Sequence, residues 1–480
     1  MGSNIKFYRL VELFERTAQG RFEGVQGFMN KYRQIDDNLY PLLQLMCPEL
    51  EKSGRVYNIQ TKTLTKLLID ALRITPDSSE ALRLQDFKSD SDHRGKFSDV
   101  VYDILRGEVT SCASSENMTI ADVNKFLDQL GAHHNDRSAQ SDLMKNTIRH
   151  FSAREWKWLC RIILRDMNNG ITEELTLRAF HPDAVSFYNV HNNDLKMVCQ
   201  TLKDPQKRLK PQPTVGVPLV PMCCQRPGVL PGSLKRAGFE EAGCTFYIDT
   251  KMDGERLQIH KDGDKFTLYS RNGIDYTSLY QWIVDEIRNN QLIRANQCII
   301  DGEICAWCPE NAEDNPEGYF LRQTQIKPVA LKDPQKMTPE VAASHLCVSV
   351  FDILHHDGRN LTDMGLSERR KIMGEVCLWK SRVFEPVHSS IGRCIKDAYQ
   401  ALFSLTSREE GVVLKLSGSE YTPGARDHSS WFKLKPDYLQ GGVDTFDCVI
   451  IGSKYKYGKL HEFVVGVADN FPEGIFADAG

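Results

Sequence analysis

Seven prolines crowd residues 204–231: Pro205, Pro211, Pro213, Pro218, Pro221, Pro227 and Pro231. Proline fixes φ and removes a backbone donor, so neither a helix nor a central strand runs through such a stretch. The chain is split there, and the apolar periodicity changes across the split. Residues 1–205 read as helical. Thr119-Ile120-Ala121-Asp122 has the form of a capping box, Val123, Phe126, Leu127 and Leu130 follow at helical spacing, and Gly131 is expected to stop that helix. A second helix is expected over 153–168, with Trp156, Leu159, Ile163 and Met167 on its apolar face and Asn168-Asn169-Gly170 at its end. Beyond the prolines the pattern alternates. Leu257-Gln258-Ile259-His260 and Lys265-Phe266-Thr267-Leu268 flank Lys261-Asp262-Gly263-Asp264, which predicts a hairpin closed by an Asp-Gly turn. Further strands fit 298–305, 346–353, 411–416 and 430–435, and helices fit 277–290, 366–375 and 393–406. The expectation is a multidomain chain: an all-α domain over 1–205, a linker and domain entry over 206–231, an α+β domain with antiparallel sheets over 232–440, and a β segment over 441–480. That last segment, with Cys448-Val449-Ile450-Ile451 and Phe463-Val464-Val465-Gly466-Val467 as strands, is too short to close a five-stranded barrel.

Charge and cysteine usage narrow the function classes. The net charge of −4 means that any nucleic acid must be held by local basic faces. Arg154, Lys157, Arg161 and Arg165 recur at helical spacing and form one such candidate stripe, although a solvated helix face has the same pattern. Among fourteen cysteines, Cys305-Ala306-Trp307-Cys308 is a lone pair without a second pair or a nearby histidine, so reduced thiols in an intracellular protein are expected rather than a zinc site. His133-His134 and His355-His356 are expected at the surface or in turns. The first residues, with Lys6, Arg9, Glu12, Glu15 and Arg16 among apolar positions, read as an amphipathic helix and not a signal peptide. Lys6 stands where a myristoylation signal needs Ser or Thr, and no apolar run is long enough to span a membrane. Lys207-Arg208-Leu209-Lys210 fits either a nuclear-import patch or a solvated linker.

The chemistry concentrates after the linker. In Lys251-Met252-Asp253-Gly254-Glu255-Arg256 a lysine amine sits on a turn shaped by aspartate and glycine, beside an arginine able to meet a phosphate oxygen or ribose. Ser270-Arg271-Asn272-Gly273 offers a second arginine at a hairpin end. Ile300-Asp301-Gly302-Glu303 places two carboxylates on one side of a strand. Val350-Phe351-Asp352 sets an aromatic ring beside a carboxylate, the segment from Glu409 to Lys415 is expected to pair the Glu410 carboxylate with Lys415 across a buried strand, and Trp431-Phe432-Lys433-Leu434-Lys435 puts two lysines on one face. Singly, each has a plain structural reading as a turn, a core residue or an exposed strand face. Their order and spacing set them apart.

This series resembles the covalent nucleotidyltransferase superfamily of ATP-dependent DNA ligases, RNA ligases and mRNA-capping enzymes. Phe246-Tyr247-Ile248-Asp249-Thr250-Lys251, Arg408-Glu409-Glu410-Gly411, Trp431 to Pro436, Lys157-Trp158-Leu159 and Asp194 to Cys199 are most similar to the eukaryotic ligase IV family, which works in non-homologous end joining. The resemblance implies a helical DNA-binding domain, an adenylation domain and the start of an OB-fold. It implies that Lys251 attacks ATP to give enzyme-AMP and pyrophosphate, that AMP passes to a DNA 5′-phosphate, and that a 3′-hydroxyl then displaces it. Lys433, Lys435 and a metal ion would favour the neutral amine and neutralise the transferred phosphoryl group. Glu303 and Glu410 match carboxylates that hold Mg²⁺. Phe351 matches the adenine-stacking ring, Arg256 and Arg271 match ribose and phosphate contacts, and Lys415 and Lys433 match α-phosphate contacts, with Thr250, Met252 and Lys435 lining the nucleotide. Asp249 stands where relatives often have the Glu that reads the adenine amino group. A further family lysine belongs between Arg322 and Lys327 without a secure position. The barrel's final motif and the BRCT repeats that dock an end-joining scaffold protein are not in this sequence, so weak self-adenylation is expected, with joining of a pre-adenylated nick better retained. The expected substrates are duplex DNA ends or nicks, with ATP and Mg²⁺ as cofactors, in the nucleus and away from membranes. RNA ligation or mRNA capping, and silent DNA-end binding, are the competing readings; the long helical N-terminal part speaks against the first.

Overall fold

The structure is a computed structural model that describes residues 5–20, 24–51, 55–89, 95–108, 117–227, 232–309, 318–332, 334–405, 409–426, 430–435, 448–456, 459–468 and 476–478. Arg408 and Pro436 lie outside the described residues.

From Phe7 to Thr201 the described elements are helical, and one continuous apolar core joins Phe7 to Leu202. The rings of Phe7, Phe126, Phe151 and Trp156 pack edge-on or tilted around Phe151, with centroids 5.9–6.2 Å apart. The capping box at Thr119 and Asp122 is present in both directions, so two N-terminal amides find acceptors. The helix it starts, Ile120–Ala132, runs through Gly131, contrary to the expected stop. Helix Ala153–Leu164 is capped reciprocally by Ser152 and Glu155. It ends earlier than the sequence suggests, because Arg165 adopts the left-handed conformation (φ 53°, ψ 44°) that closes a helix. Met167 is still buried, but from beyond the helix.

The next part is built on two sheets. β1 (Phe246–Thr250) is central in a four-stranded sheet of order β11-β10-β1-β9, where β9 is Ser389–Gly392, β10 Val412–Leu416 and β11 Trp431–Leu434. The larger sheet has the order β3-β2-β4-β6-β7, where β2 is Glu255–Asp262, β3 Lys265–Ser270, β4 Gln297–Cys308, β6 His345–His356 and β7 Arg359–Asn360; the short β5 (Tyr319–Phe320) pairs with β4, and β8 (Phe384–Pro386) pairs with β6. All of these pairings are antiparallel except β6 with β8. The predicted hairpin is β2 and β3, with Asp262 opposite Lys265. Helices Gln281–Asn289, Leu366–Val376 and Ile395–Phe403 occupy the predicted places, the first and third with shorter ends and the second one residue longer. Three further strands, β12 (Cys448–Lys456), β13 (Lys459–Ala468) and β14 (Phe476–Asp478), pair antiparallel.

One expectation is corrected here. His355 is not a surface residue; it is buried at the end of β6, beside the more deeply buried His260 of β2. The proline-rich stretch is solvent-exposed at Lys207, Arg208 and Lys210 and packed farther on, as a linker that leads into the next domain. Its residues 216–225 lie along both sheets: the Gly216 amide donates to His260 Nδ1 (3.1 Å), Gln258 Nε2 donates to the Leu219 carbonyl (2.6 Å), and the Gln225 amide donates to the Trp431 carbonyl (3.0 Å). Arg208 and Lys210 are paired with Asp183 and Asp363. The prolines thus remove donors from a segment that uses its remaining amides to form a wall.

Candidate functional site

A cavity of about 790 Å³ opens between the two sheets, and its walls come from both. Asp249 and Thr250 reach it from β1, Arg256 from β2, Glu303 from β4, Phe351 from β6, Lys415 from β10 and Lys433 from β11. Lys251 and Met252 follow β1, and Arg271 follows β3. Ten of the twelve residues expected to contact nucleotide therefore line one space. The other two, Glu410 and Lys435, adjoin it: Glu410 accepts from Lys251 Nζ and, at 2.6 Å, from Lys435 Nζ.

The Lys251 turn is fixed by close approach. The Lys251 amide donates to the Gly411 carbonyl at 2.9 Å, tying the turn to the start of β10. A Cβ at Gly254 would lie 2.5 Å from Glu303 Cγ and 2.6 Å from the Ile304 carbonyl oxygen, so only glycine lets the turn lie against β4. Lys251 is left half-buried among the residues that line the cavity. A second cavity of about 730 Å³ shares Thr250, Lys251, Met252 and Val387 with the first.

Each charge has a specific setting. Arg256 is clamped by Asp301, with Nε 2.7 Å from Oδ1 and Nη2 2.5 Å from Oδ2, while the Tyr421 hydroxyl donates to Asp301 Oδ2 at 2.6 Å. Burial alone would lower the Arg256 pKa, but Asp301 more than offsets this and raises it well above its ordinary value. The guanidinium lies 4.6 Å from the Phe351 ring centroid, and Lys415 Nζ lies 4.2 Å from the same centroid. Glu303 is different. Burial raises its carboxyl to about 7 against the pull of Arg256 and Lys251, and it has no hydrogen bond or ion pair among the described residues. Burial also acts to raise Glu410, but Lys251 and Lys435 hold it below the usual carboxylate range.

The strand that joins Glu410 to Lys415 does not pair them, contrary to expectation. Lys415 instead forms a buried ion pair with Asp249 (2.8 Å), because β10 lies beside β1 and places Lys415 opposite Tyr247, next to Asp249. Lys433 lines the cavity without an ion pair among the described residues. Lys327, at the end of the interval where a further lysine was sought, lines the cavity 3.6 Å from Glu255, whereas Arg322 lines the second cavity.

Each cation of the basic stripe is engaged by a neighbouring group, although Arg154 is still 54% exposed. Arg154 is bonded to Glu15, Lys157 lies 2.7 Å from Asp99, Arg161 donates to Ser98 Oγ (2.8 Å) and the Met167 carbonyl (3.0 Å), and Arg165 donates to the Arg55 carbonyl. Helical spacing gave the shared face correctly as far as Arg161, but that face packs on other elements. Sequence reading missed Arg370, Ser389 and Tyr421 behind the cavity and Cys223, Cys224, Gln225 and Arg226 in its wall. Only the proline-rich segment gave a local signal, and it pointed to a linker.

Comparison with known proteins agrees with this geometry. Residues 6–181 match the family described as DNA ligase N terminus, and residues 229–435 match the ATP dependent DNA ligase domain. The chain is 30% identical to DNA ligase 4 of Dictyostelium discoideum, over 92% of this chain and 44% of that protein. It is 30% identical to DNA ligase 4 of Gallus gallus, over 98% of this chain and 53% of that protein, and 28% identical to DNA ligase 4 of Homo sapiens, over 99% and 53%. The chain thus spans about half the length of these relatives. The two matched regions coincide with the helical part and the two-sheet part, so the chain carries a DNA ligase N-terminal domain and an ATP-dependent DNA ligase domain.

Proposed function

We propose that this chain is the DNA-binding and adenylating part of an ATP-dependent DNA ligase that joins 5′-phosphate and 3′-hydroxyl ends in non-homologous end joining. The observation that carries the reading is the placement of Lys251 among the residues that line a cavity gathering ten of the expected nucleotide contacts. Lys251 Nζ gives up a proton, for which Glu410 is the acceptor already in contact, and attacks the α-phosphorus of ATP. The bond to pyrophosphate breaks and a phosphoramidate forms. A DNA 5′-phosphate oxygen then attacks the same phosphorus and releases the lysine. Attack by the 3′-hydroxyl finally expels AMP.

Lys415, Lys433 and Arg271 supply positive charge along the cavity for the phosphates, and Phe351 supplies an apolar face for the base. A divalent cation such as Mg²⁺ fits Glu303, a carboxylate that lines the cavity without a hydrogen-bond or ion-pair partner among the described residues. Glu410 is engaged by two lysines and would join Glu303 as a ligand only after releasing them. When bound, such a cation neutralises charge on the transferred phosphoryl group. Likeness to proteins named DNA ligase 4 supports DNA ends or nicks as substrate; a nuclear location and an end-joining scaffold protein as partner of a form with BRCT repeats complete the proposal. The test compares sealing of a singly nicked DNA duplex with GMP transfer from GTP to RNA ends. Sealing that needs ATP and disappears in Lys251→Ala supports the reading. GMP transfer without sealing overturns it.

A further inference from the structure

No residue before Cys223 is among those that line the cavity, yet the helical part grips two loops that do. The first link runs through Asn189, near the end of helix Ala184–Val190. Its carbonyl accepts from the Val220 amide at 2.7 Å, and the Val220 carbonyl accepts from the Gly424 amide at 2.9 Å. The Asn189 side-chain amide donates to the Pro423 carbonyl at 3.3 Å. Gly424 has a φ of 75°, and a Cβ there would collide with that side-chain amide, so the approach needs glycine. The loop 421–426 is tied again where the Cys223 amide donates to the Ala425 carbonyl at 2.8 Å, and it ends at Arg426, which lines the cavity. The second link runs through Asn192, which holds the left-handed conformation (φ 53°) that asparagine tolerates. Its Oδ1 fills the place that a Cβ of Gly273 would take, and Pro218 Cγ would lie 3.3 Å from the same point. Gly273 closes the turn that carries Arg271, its amide donating to the Ser270 carbonyl at 3.0 Å. Arg271 in turn lines the cavity and donates to Cys223 Sγ at 3.3 Å.

We propose that Asn189 and Asn192 are positioning residues for nucleotide binding: from the helical part they hold the loops of Arg426 and Arg271 in place at the cavity. This rests on the proposed nucleotide site and deepens it. Both arginines are exposed and stand on loops. Ordering such a group when a ligand arrives costs conformational entropy, and a loop already fixed by its neighbours has less to lose. The helical part thereby adds to the affinity for a phosphate-bearing ligand that it does not touch.

The test is calorimetric titration of ATP into the whole chain carrying Lys251→Ala, which removes covalent chemistry, with and without Asn189→Ala and Asn192→Gly. Glycine keeps the left-handed backbone at position 192 and takes away only the side chain. ATP affinity should fall about 3- to 30-fold when both asparagines are replaced. Stoichiometry from the same titration separates weakened binding from a partly unfolded variant. Asn192→Asp keeps an oxygen against Gly273 and should retain most of the affinity that Asn192→Gly loses. With Arg271→Ala and Arg426→Ala already in place, the two asparagine changes should cost less than about twofold more, because the groups they position are gone. Unchanged affinity in the asparagine variant would overturn the proposal. An equal loss with and without the two arginines would overturn it too, since the asparagines would then be general supports of the fold. A parent chain that binds no ATP is a different result, and it would remove the proposed nucleotide site together with this role for the asparagines.

Discussion

Replacing Arg369 with methionine should be among the most damaging single changes outside the cavity. Arg369 and Asp352 are both fully buried and joined by two parallel hydrogen bonds, Nε to Oδ1 and Nη2 to Oδ2, each 2.8 Å. Arg369 Nη1 also donates to the Met364 carbonyl and, at 2.8 Å, to the Ser419 carbonyl. The pair fastens helix Leu366–Val376 to β6 one residue beyond Phe351. Methionine fills similar volume but leaves the Asp352 carboxylate buried with little beyond the Ile353 amide as donor. Removing one partner of such a pair costs about 3–5 kcal/mol. For a domain of about 200 residues, each kcal/mol moves Tm by roughly 2–4 °C, so the fall should be about 6–20 °C. Arg369→Met with Asp352→Asn removes both charges and should recover most of that loss. Thermal and urea unfolding followed by circular dichroism read both variants. A single variant within about 1 kcal/mol of the parent, or a double variant no better than the single, would refute the reasoning.

Other consequences are equally open to measurement. His260 is buried and neutral, its pKa pushed down to about 3 by desolvation and secondarily by His355. Its contribution to stability is complete above about pH 6.5 and is lost as pH falls from there toward 3, amounting to about 2 kcal/mol between pH 7 and 5. Urea midpoints at the two pH values should show that loss in the parent and a smaller one in His260→Gln; equal losses would count against the assignment. Gly254→Ala forces a Cβ into Glu303 and the Ile304 carbonyl, so it should lower nucleotide affinity and cost about 1–3 kcal/mol of stability; a neutral result would mean that the turn does not need its close approach. Lys157→Gln breaks the pair with Asp99 and should lower helical-domain stability, while the slope of DNA affinity against salt stays unchanged. A slope reduced by about 0.9, the value for one phosphate contact, would restore this residue to the DNA surface.

Much of the site was legible because its chemistry is local in the chain. The Lys251 turn, the Glu303 strand, Phe351 and the Lys433 strand each announce themselves within a few residues, and alternation placed β2, β3, β4, β6, β10 and β11 correctly. What escaped was pairing across distance. Arg370 meets Asp249 across 121 positions, and Arg154 meets Glu15 across 139. Periodicity tells which side chains share a face, but not what that face will lie against, so a basic stripe and a packed helix face look alike. The wall formed by Cys223 to Arg226 was hidden for a related reason, since prolines mark where regular structure stops without saying what the extended chain then covers.

The most direct test of the central claim is peptide mapping by mass spectrometry after incubating the chain with ATP and Mg²⁺. One AMP group on the peptide containing Lys251, absent from Lys251→Ala and released by pyrophosphate, is the expected result. An adduct on any other residue, or one that persists in Lys251→Ala, would contradict it.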